Sequence, residues 1–344
     1  MIKLKDRVFF LNDTKINDWL IDEFSQRDFL MIFMDIKNSG QIMQKTRLVR
    51  MFKLHIGYLK LALNCLIKSK KNEIIVCFLD VQALYLFLLS RMLFKKRDIV
   101  VLNIMLNDQK DLITNIKRYL FKLMLENEHV YPTVTSYNLS SHYKKLLNLP
   151  NKEFYLLHDC YGGLGEYKRS YKNGEGYVFC GGINGRDWSG LLEIAKLLPK
   201  VKFVIVGPKK DTLGNHGLSN IDYYFDIPFQ KFQELLEDCS LLALPLNTQA
   251  PAGLIVIFTA GLISKPVITT DNITLREYIT NGENGVLIKL GDYENFAKEL
   301  NLVISNEQKQ KMFGEKLYSR IEAMGSPKVF VDTIVKITSQ IKLK

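Results

Sequence analysis

Short apolar runs alternate with longer stretches of helical period through the first half of the chain. Residues 30–34, 74–79 and 99–104 are β-branched and aromatic runs, and each is followed by a helical pattern, near 44–70, 81–94 and 110–125. Two more strand-like runs, 133–136 and 154–157, bracket a helical 140–147. The same order restarts at 177–180 and continues through helix 188–198, strands 202–206 and 222–225, helix 229–237, strand 241–244, helix 252–263 and strand 266–270. After an apolar 286–288 the pattern is helical only, near 292–304, 307–322 and 327–341. Repeated strand–helix alternation predicts right-handed crossovers and parallel sheets covered on both faces.

Between the two series, residues 159–175 hold Gly162, Gly163, Gly165, Gly174 and Gly176 nearby, with charged residues and no apolar period. The boundary is placed there. The predicted fold is α/β with two doubly wound, Rossmann-like domains, 1–160 and 161–344, and a helical C-terminus whose last helix is a candidate to cross back. Sheets of this kind bind ligands beyond the carboxyl ends of their strands, so a cleft between the domains is expected to hold the function.

Composition agrees with two cores. The chain has 344 residues, 47% hydrophobic and 24% charged, which excludes a disordered chain, and 21 Gly with 9 Pro are too few for a fibrous one. Cys65, Cys77, Cys160, Cys180 and Cys239 form no C-x-x-C pair, which predicts neither a disulfide framework nor a zinc site. The opening residues lack a signal-peptide pattern, and the apolar stretch 74–94 is interrupted by Asp80, Gln82 and Arg91, so a cytoplasmic protein without a membrane span is expected.

The net charge of +11 is unevenly distributed, because residues 1–160 carry 25 Lys and Arg against 16 Asp and Glu. Much of this surplus (Lys45, Arg47, Arg50, Lys53, Lys60, Lys68, Lys70, Lys71) interleaves with Leu48, Phe52, Ile56, Leu59 and Leu63 on one helical stretch. Two readings stay open: a basic amphipathic helix at an anionic membrane surface, or a solvated face of a helix packed on the sheet. No nucleic-acid motif accompanies it, so no nucleic-acid partner is expected.

Two loops carry candidate chemistry. Cys180-Gly181-Gly182-Ile183-Asn184-Gly185-Arg186-Asp187 follows a strand and opens a helix, where glycines let the backbone approach an anion and Arg186 offers a fork of donors. It is neither a Walker loop nor a G-x-G-x-x-G loop, and a salt bridge would account for Arg186 equally well. In the second loop a strand ends at Pro245, Asn247 lies in a polar turn, and Ala252-Gly253-Leu254 opens a helix with free amides. Gly207, Lys209 and Ile227 lie in neighbouring loops and complete the candidate binding set.

Ala252-Gly253-Leu254, Lys265-Pro-Val-Ile and Glu277-Tyr-Ile followed by Asn281-Gly-Glu-Asn-Gly285 resemble the signature region of retaining glycosyltransferases of the GT-B fold, family 4 type, common in bacterial polysaccharide synthesis. The resemblance covers most of the second half and, loosely, the first. It implies a nucleotide-sugar donor, most simply a UDP-sugar, whose diphosphate is held by the amides of Gly253 and Leu254 with Arg186 as the cationic clamp and no metal. It implies a glycan or polyprenyl-diphosphate-linked acceptor. The family's two glutamates are replaced by Pro251 and Thr259, of which Thr259 could reach a ribose, and its usual lysine by Asp187. Asn107-Asp108 stands where the family has a donor-facing His-Asp, with a helix cap as the other reading. Asn38-Ser39-Gly40 forms a candidate acceptor-side turn, and His158 ends a strand near the boundary. The missing acids also motivate a catalytically silent GT-B module that binds a glycan or a partner glycosyltransferase. A sugar-nucleotide epimerase ranks below both.

Overall fold

The computed structural model describes residues 6–36, 46–106, 111–164, 176–249 and 251–343, and the side chains of Arg47 and Ile113 are left aside. The chain divides into two compact units, Met1–Gly163 with Pro327–Lys344, and Leu164–Ser326.

The first unit has strands β1 (Asp6–Leu11), β2 (Phe29–Met34), β3 (Ile74–Cys77), β4 (Asp98–Val101), β5 (Val130–Val134) and β6 (Tyr155–Leu156) in the spatial order β2-β1-β3-β4-β5-β6. All pairings are parallel. Its helices are α1 (Asp18–Ser25), α2 (Arg47–Lys68), α3 (Asp80–Met92), α4 (Leu112–Glu126), α5 (Tyr137–Leu147) and the distant α11 (Pro327–Lys342). The sequence pattern did not call for β1 or α1. Yet β1 is an inner strand, and its Val8, Phe9, Phe10 and Leu11 are fully buried, so no polar–apolar alternation marks it. Phe10 meets Phe33 at 5.8 Å and Phe24 of α1 at 6.0 Å. The strand expected at 133–136 lies earlier, because Ser136 turns out of the sheet and caps α5 by accepting from Leu139 N at 3.1 Å.

Helix α11 returns across the far end of the sequence to this unit. Phe330, Val331, Ile334, Ile337 and Ile341 bury against α1 and the sheet, and Arg27 donates to Asp332 from Nε at 3.0 Å and Nη2 at 2.9 Å.

The second unit repeats the plan with β7 (Tyr177–Gly181), β8 (Lys202–Gly207), β9 (Ile221–Phe225), β10 (Leu241–Leu244), β11 (Val267–Thr270) and β12 (Val286–Ile288), in the order β12-β11-β10-β7-β8-β9. Again every pairing is parallel. Its helices are α6 (Trp188–Leu197), α7 (Phe229–Glu237), α8 (Leu254–Leu262), α9 (Tyr293–Ile304) and α10 (Glu307–Gly325). Helix α8 starts two residues later than the pattern suggests, since Gly253 has φ +83° and forms its left-handed N-cap.

The connection after α8 is held by close backbone approach. Lys265 is buried and donates from Nζ to the Cys239 carbonyl at 2.7 Å, so it is a structural strut rather than a surface charge. Gly314 of α10 lies so near this turn that a Cβ there would stand 1.9 Å from the Ser264 carbonyl oxygen. Helix propensity alone favours Gly314→Ala by up to ~1 kcal/mol. The clash is with backbone and cannot be relieved by a rotamer change, so Gly314→Ala is expected to lower the thermal midpoint, with a loss of ~1–3 kcal/mol or more in denaturant titration.

Candidate functional site

In each sheet the chain runs outward from one strand, returns, and leaves in the other direction, which creates a switch point where neighbouring loops diverge. In the second unit that point lies between β7 and β10. The two loops singled out from the sequence are the ones that follow these strands.

After β7, Gly182 (φ +115°) and Gly185 (φ +70°) turn the chain, and Asp187 caps α6 by accepting from Gly190 N at 3.0 Å and Ser189 Oγ at 2.9 Å. Tyr293 donates its hydroxyl to the other carboxylate oxygen at 2.7 Å. Asp187 is thus a structural cap, which accounts for an acid beside Arg186. That cap bond to Asp187 raises the Tyr293 pKa, with burial and the nearby charge adding to it.

Arg186 curls back over this loop and is 5% exposed. Its Nε donates to the Gly181 carbonyl at 2.8 Å and its Nη1 to the Asn184 carbonyl at 2.8 Å. Two of its five N–H donors are so engaged. No carboxylate among the described residues pairs with it. Burial lowers its pKa, and a guanidinium keeps its charge even so. A buried cation without a counter-charge is costly unless an anion meets it. The salt-bridge reading of Arg186 therefore has no support among the described residues.

The second loop is laced to the first. Asp187 N donates to the Pro245 carbonyl at 3.0 Å, and Asn247 N to the Gly185 carbonyl at 3.0 Å. Thr270 accepts from Leu246 N at 2.8 Å, and Asn272 Nδ2 donates to the Thr248 carbonyl at 2.8 Å. Beyond this loop Gly253 opens α8, whose first intrahelical bond runs from Ile257 N to the Gly253 carbonyl at 3.0 Å. The amides of Leu254, Ile255 and Val256 precede that bond and have no intrahelical acceptor. A Cβ built on Gly253 would lie 3.6 Å from Arg186 Nη1, so the guanidinium and the positive end of α8 form one cradle.

The structure brings Gly181, Gly182, Asn184, Arg186, Pro245, Asn247, Ala252, Gly253 and Leu254 together here. Gly207 closes on Tyr223, whose hydroxyl donates to the Lys209 carbonyl, while the Lys209 side chain is exposed and Ile227 is half-buried ahead of α7. Thr259 is not brought to the cradle: it is 3% exposed, and its hydroxyl donates to the Ile255 carbonyl at 2.9 Å inside α8. The Glu277 and Asn281–Gly285 corner is held internally, with Asn284 accepting from Thr280 N at 2.7 Å and donating to the Tyr278 carbonyl at 3.0 Å. Asn38, Ser39, Gly40, Asn107 and Asp108 lie outside the described residues.

The first unit has its own switch point, between β1 and β3, and carries a polar cluster the sequence pattern did not single out. Asp13 follows β1, Asp80 opens α3 after β3, and Tyr58 of α2 feels the charge of both. Burial raises the pKa of each carboxylate and pushes Tyr58 up to about 12. Gln82, fully buried, accepts from Leu79 N at 3.1 Å and leaves its Nε2 without a partner. The available signal was an acid at or just after the end of an apolar run, a pattern shared with ordinary helix caps.

Comparison with known proteins places these features. The model of the family described as "Glycosyl transferases group 1" matches residues 187–320. No curated protein matches the sequence significantly. Sucrose-phosphate synthase from Thermosynechococcus elongatus superposes with a TM-score of 0.77 at 11% identity, covering 98% of this chain and 99% of that one. HepE from Anabaena, solved in complex with UDP, gives a TM-score of 0.66 at 13% identity, with coverages of 97% and 100%. S. aureus TarM, in a mutant complex with fondaparinux, α-GlcNAc-glycerol and UDP, gives 0.59 at 17% identity over 83% of this chain. The chain spans only 59% of TarM. The fold is GT-B, with two parallel α/β sheets and a helical C-terminus.

Two outcomes are expected. A Cβ on Gly182 would stand 2.2 Å from Arg186 Nη2, so Gly182→Ala should displace the guanidinium as well as strain a left-handed residue, destabilising the fold by ~1–3 kcal/mol in denaturant titration. For Asp80 the folded pKa lies above the unfolded one, so ionisation opposes folding as pH rises through the folded value. Asp80→Asn should therefore raise the thermal midpoint near neutral pH, with the gain shrinking toward pH ~4 and below.

Proposed function

We propose that the protein is a glycosyltransferase that takes a hexose-type sugar from a nucleoside-diphosphate donor, most simply a UDP-sugar, and passes it with retained configuration to a hydroxyl of a glycan or polyprenyl-diphosphate-linked oligosaccharide. The observation that carries this reading is the buried Arg186, free of any described carboxylate, beside the N-terminus of α8 at the switch point of the second sheet. The family match over 187–320 begins just after that arginine and includes all of α8. HepE was solved with UDP and with UDP-glucose, which supports the same donor class.

Charge grows on the diphosphate as the bond between the sugar C1 and the phosphate oxygen breaks, because both bonding electrons leave with the diphosphate. Donors fixed in advance around that position favour the transition state over the ground state. Arg186 and the amides of Leu254 and Ile255 are such donors. They supply positive charge without a divalent cation. Gly182 and Gly253 keep Cβ atoms away from the approach of the phosphates. The protein acts on this reading in the cytoplasm, at the inner face of the membrane that carries the acceptor.

The replacement of two family carboxylates by Pro251 and Thr259, together with the inward hydroxyl of Thr259, favours a second reading, a silent module that binds a glycan or a partner enzyme. Release of UDP from UDP-sugars separates the two. The enzyme should release UDP slowly without acceptor, with no loss in EDTA, and Arg186→Ala should cut the rate about 100-fold or more while Arg186→Lys, which loses the fork, recovers only part. No release from any UDP-sugar, with glycan binding retained, would establish the silent module instead.

A further inference from the structure

The first-unit helix α2 has three faces rather than two. With successive residues about 100° apart, Leu54, Tyr58, Leu61 and Cys65 share the side turned to the sheet. Leu48, Phe52, Ile56, Leu59, Leu63 and Ile67 recur at spacings of three and four residues on a second side, roughly 160° away. These six are all exposed, Leu48 at 81% and Phe52 at 69%. Arg50, Lys53, Lys60 and Lys68 lie on the third side. The 22-residue helix has no acidic residue at all.

An amphipathic helix that only packs on a sheet needs one apolar side. Here the core takes one, and the second is presented to solvent for the full length of the helix. The neighbouring helices continue it. Right-handed crossovers place α2, α3 and α4 on one face of the sheet, where α2 packs on α3 and α3 on α4. Helix α4 exposes Leu112, Ile116, Tyr119 and Leu123 at the same spacing, beside Lys117, Arg118 and Lys122. Where α3 ends, Met92, Leu93 and Phe94 are exposed, Phe94 at 93%, among Arg91, Lys95 and Lys96. This tip adjoins the end of α2, since Lys95 Nζ donates to the Leu66 carbonyl at 3.3 Å and Arg97 Nη2 to the Ser69 carbonyl at 2.8 Å.

A broad apolar surface of this kind marks a binding face rather than ordinary exposure. Its charge selects the occupant. Apolar side chains with Lys and Arg alongside and almost no acid fit an anionic lipid surface, where the chains enter the acyl boundary and the ammonium groups stay at the phosphates. No described helix is long and apolar enough to cross a membrane, so the contact is interfacial.

We infer that the outer face of α2, α3 and α4 inserts into an anionic phospholipid bilayer, with the apolar stripe of α2 as the anchor and its lysines as the guide. The inference rests on the proposal of a membrane-borne acceptor, but it is read by lipid binding alone.

The test is co-sedimentation of the full chain with vesicles of phosphatidylethanolamine and phosphatidylglycerol, against vesicles of phosphatidylcholine. Binding to the anionic vesicles is expected, and Phe52→Gln and Leu63→Gln should each weaken it by about tenfold. Lys53→Gln with Lys60→Gln should weaken binding at low salt and matter little at high salt. Phe52→Trp should bind with a blue-shifted emission, which shows depth rather than surface adsorption. Binding that is fully lost at high salt and unaffected by Phe52→Gln would overturn insertion. So would a dimer in sedimentation equilibrium that Phe52→Gln dissociates, since the face would then belong to a second copy. A cooperative thermal transition without ligand, at the wild-type midpoint in every variant, shows that each is folded and keeps a failure here separate from a failure of the donor reading.

Discussion

The position of one guanidinium organises the second unit. Arg186 can lie over its own loop only because Gly182 has no Cβ, which would otherwise stand 2.2 Å from Nη2, and because the carbonyls of Gly181 and Asn184 turn toward it. Asp187, beside it in sequence, is committed to capping α6 and to Tyr293, and so does not neutralise it. The loop after β10 is tied to this one by backbone bonds through Pro245 and Asn247, which carries the start of α8 to the same place. A positive centre held this rigidly needs no reorganisation when an anion arrives, and this preorganisation is what phosphate chemistry demands of a site.

Both units are six-stranded parallel sheets with one switch point each, but they differ in strand order and in what they present. The switch point of the second offers positive charge and free amides, whereas that of the first gathers Asp13, Asp80 and Tyr58, groups that accept and donate to hydroxyls when protonation allows. The outer helices of the first unit carry the basic residues that give its sequence most of the chain's positive charge. Charge asymmetry along the chain is thereby divided between two different physical tasks: a concentrated, buried cation in one unit, and a dispersed basic rim around apolar side chains in the other.

Much of this was legible in the sequence. Strand–helix alternation located the elements of the second unit to within a residue or two, apart from the end of α10, which runs three residues further, because its strands are short apolar runs between turn formers; helix α7 matches at both ends. Strand β1 was missed because its apolar run, Val8–Leu11, is only four residues long and opens on the charged Asp6-Arg7. The glycines and Arg186 could be read as an anion cradle from their order alone. That Arg186 lacks a carboxylate partner could not, since pairing depends on residues distant in sequence. Thr259 looked available because its type suits a ribose, but a helix interior offers its hydroxyl a nearer acceptor at Ile255. For α2 the sequence left two readings open, a basic amphipathic helix at a membrane surface and a helix packed on the sheet with a solvated face, because the apolar residues could not be divided between core and surface. Only the fold shows that half of them face away from the core.

On the proposed reading a nucleoside diphosphate is held by Arg186 and the first amides of α8. Amide chemical shifts of uniformly labelled protein titrated with UDP test it directly, with uridine as the control that lacks the phosphates. Saturable shifts at Gly182, Leu254 and Ile255 are expected with UDP and much smaller ones with uridine, and they should disappear in Arg186→Ala protein that is still folded. Saturable shifts with UDP that leave Gly182, Leu254 and Ile255 unmoved, or that persist unchanged without Arg186, would contradict that reading.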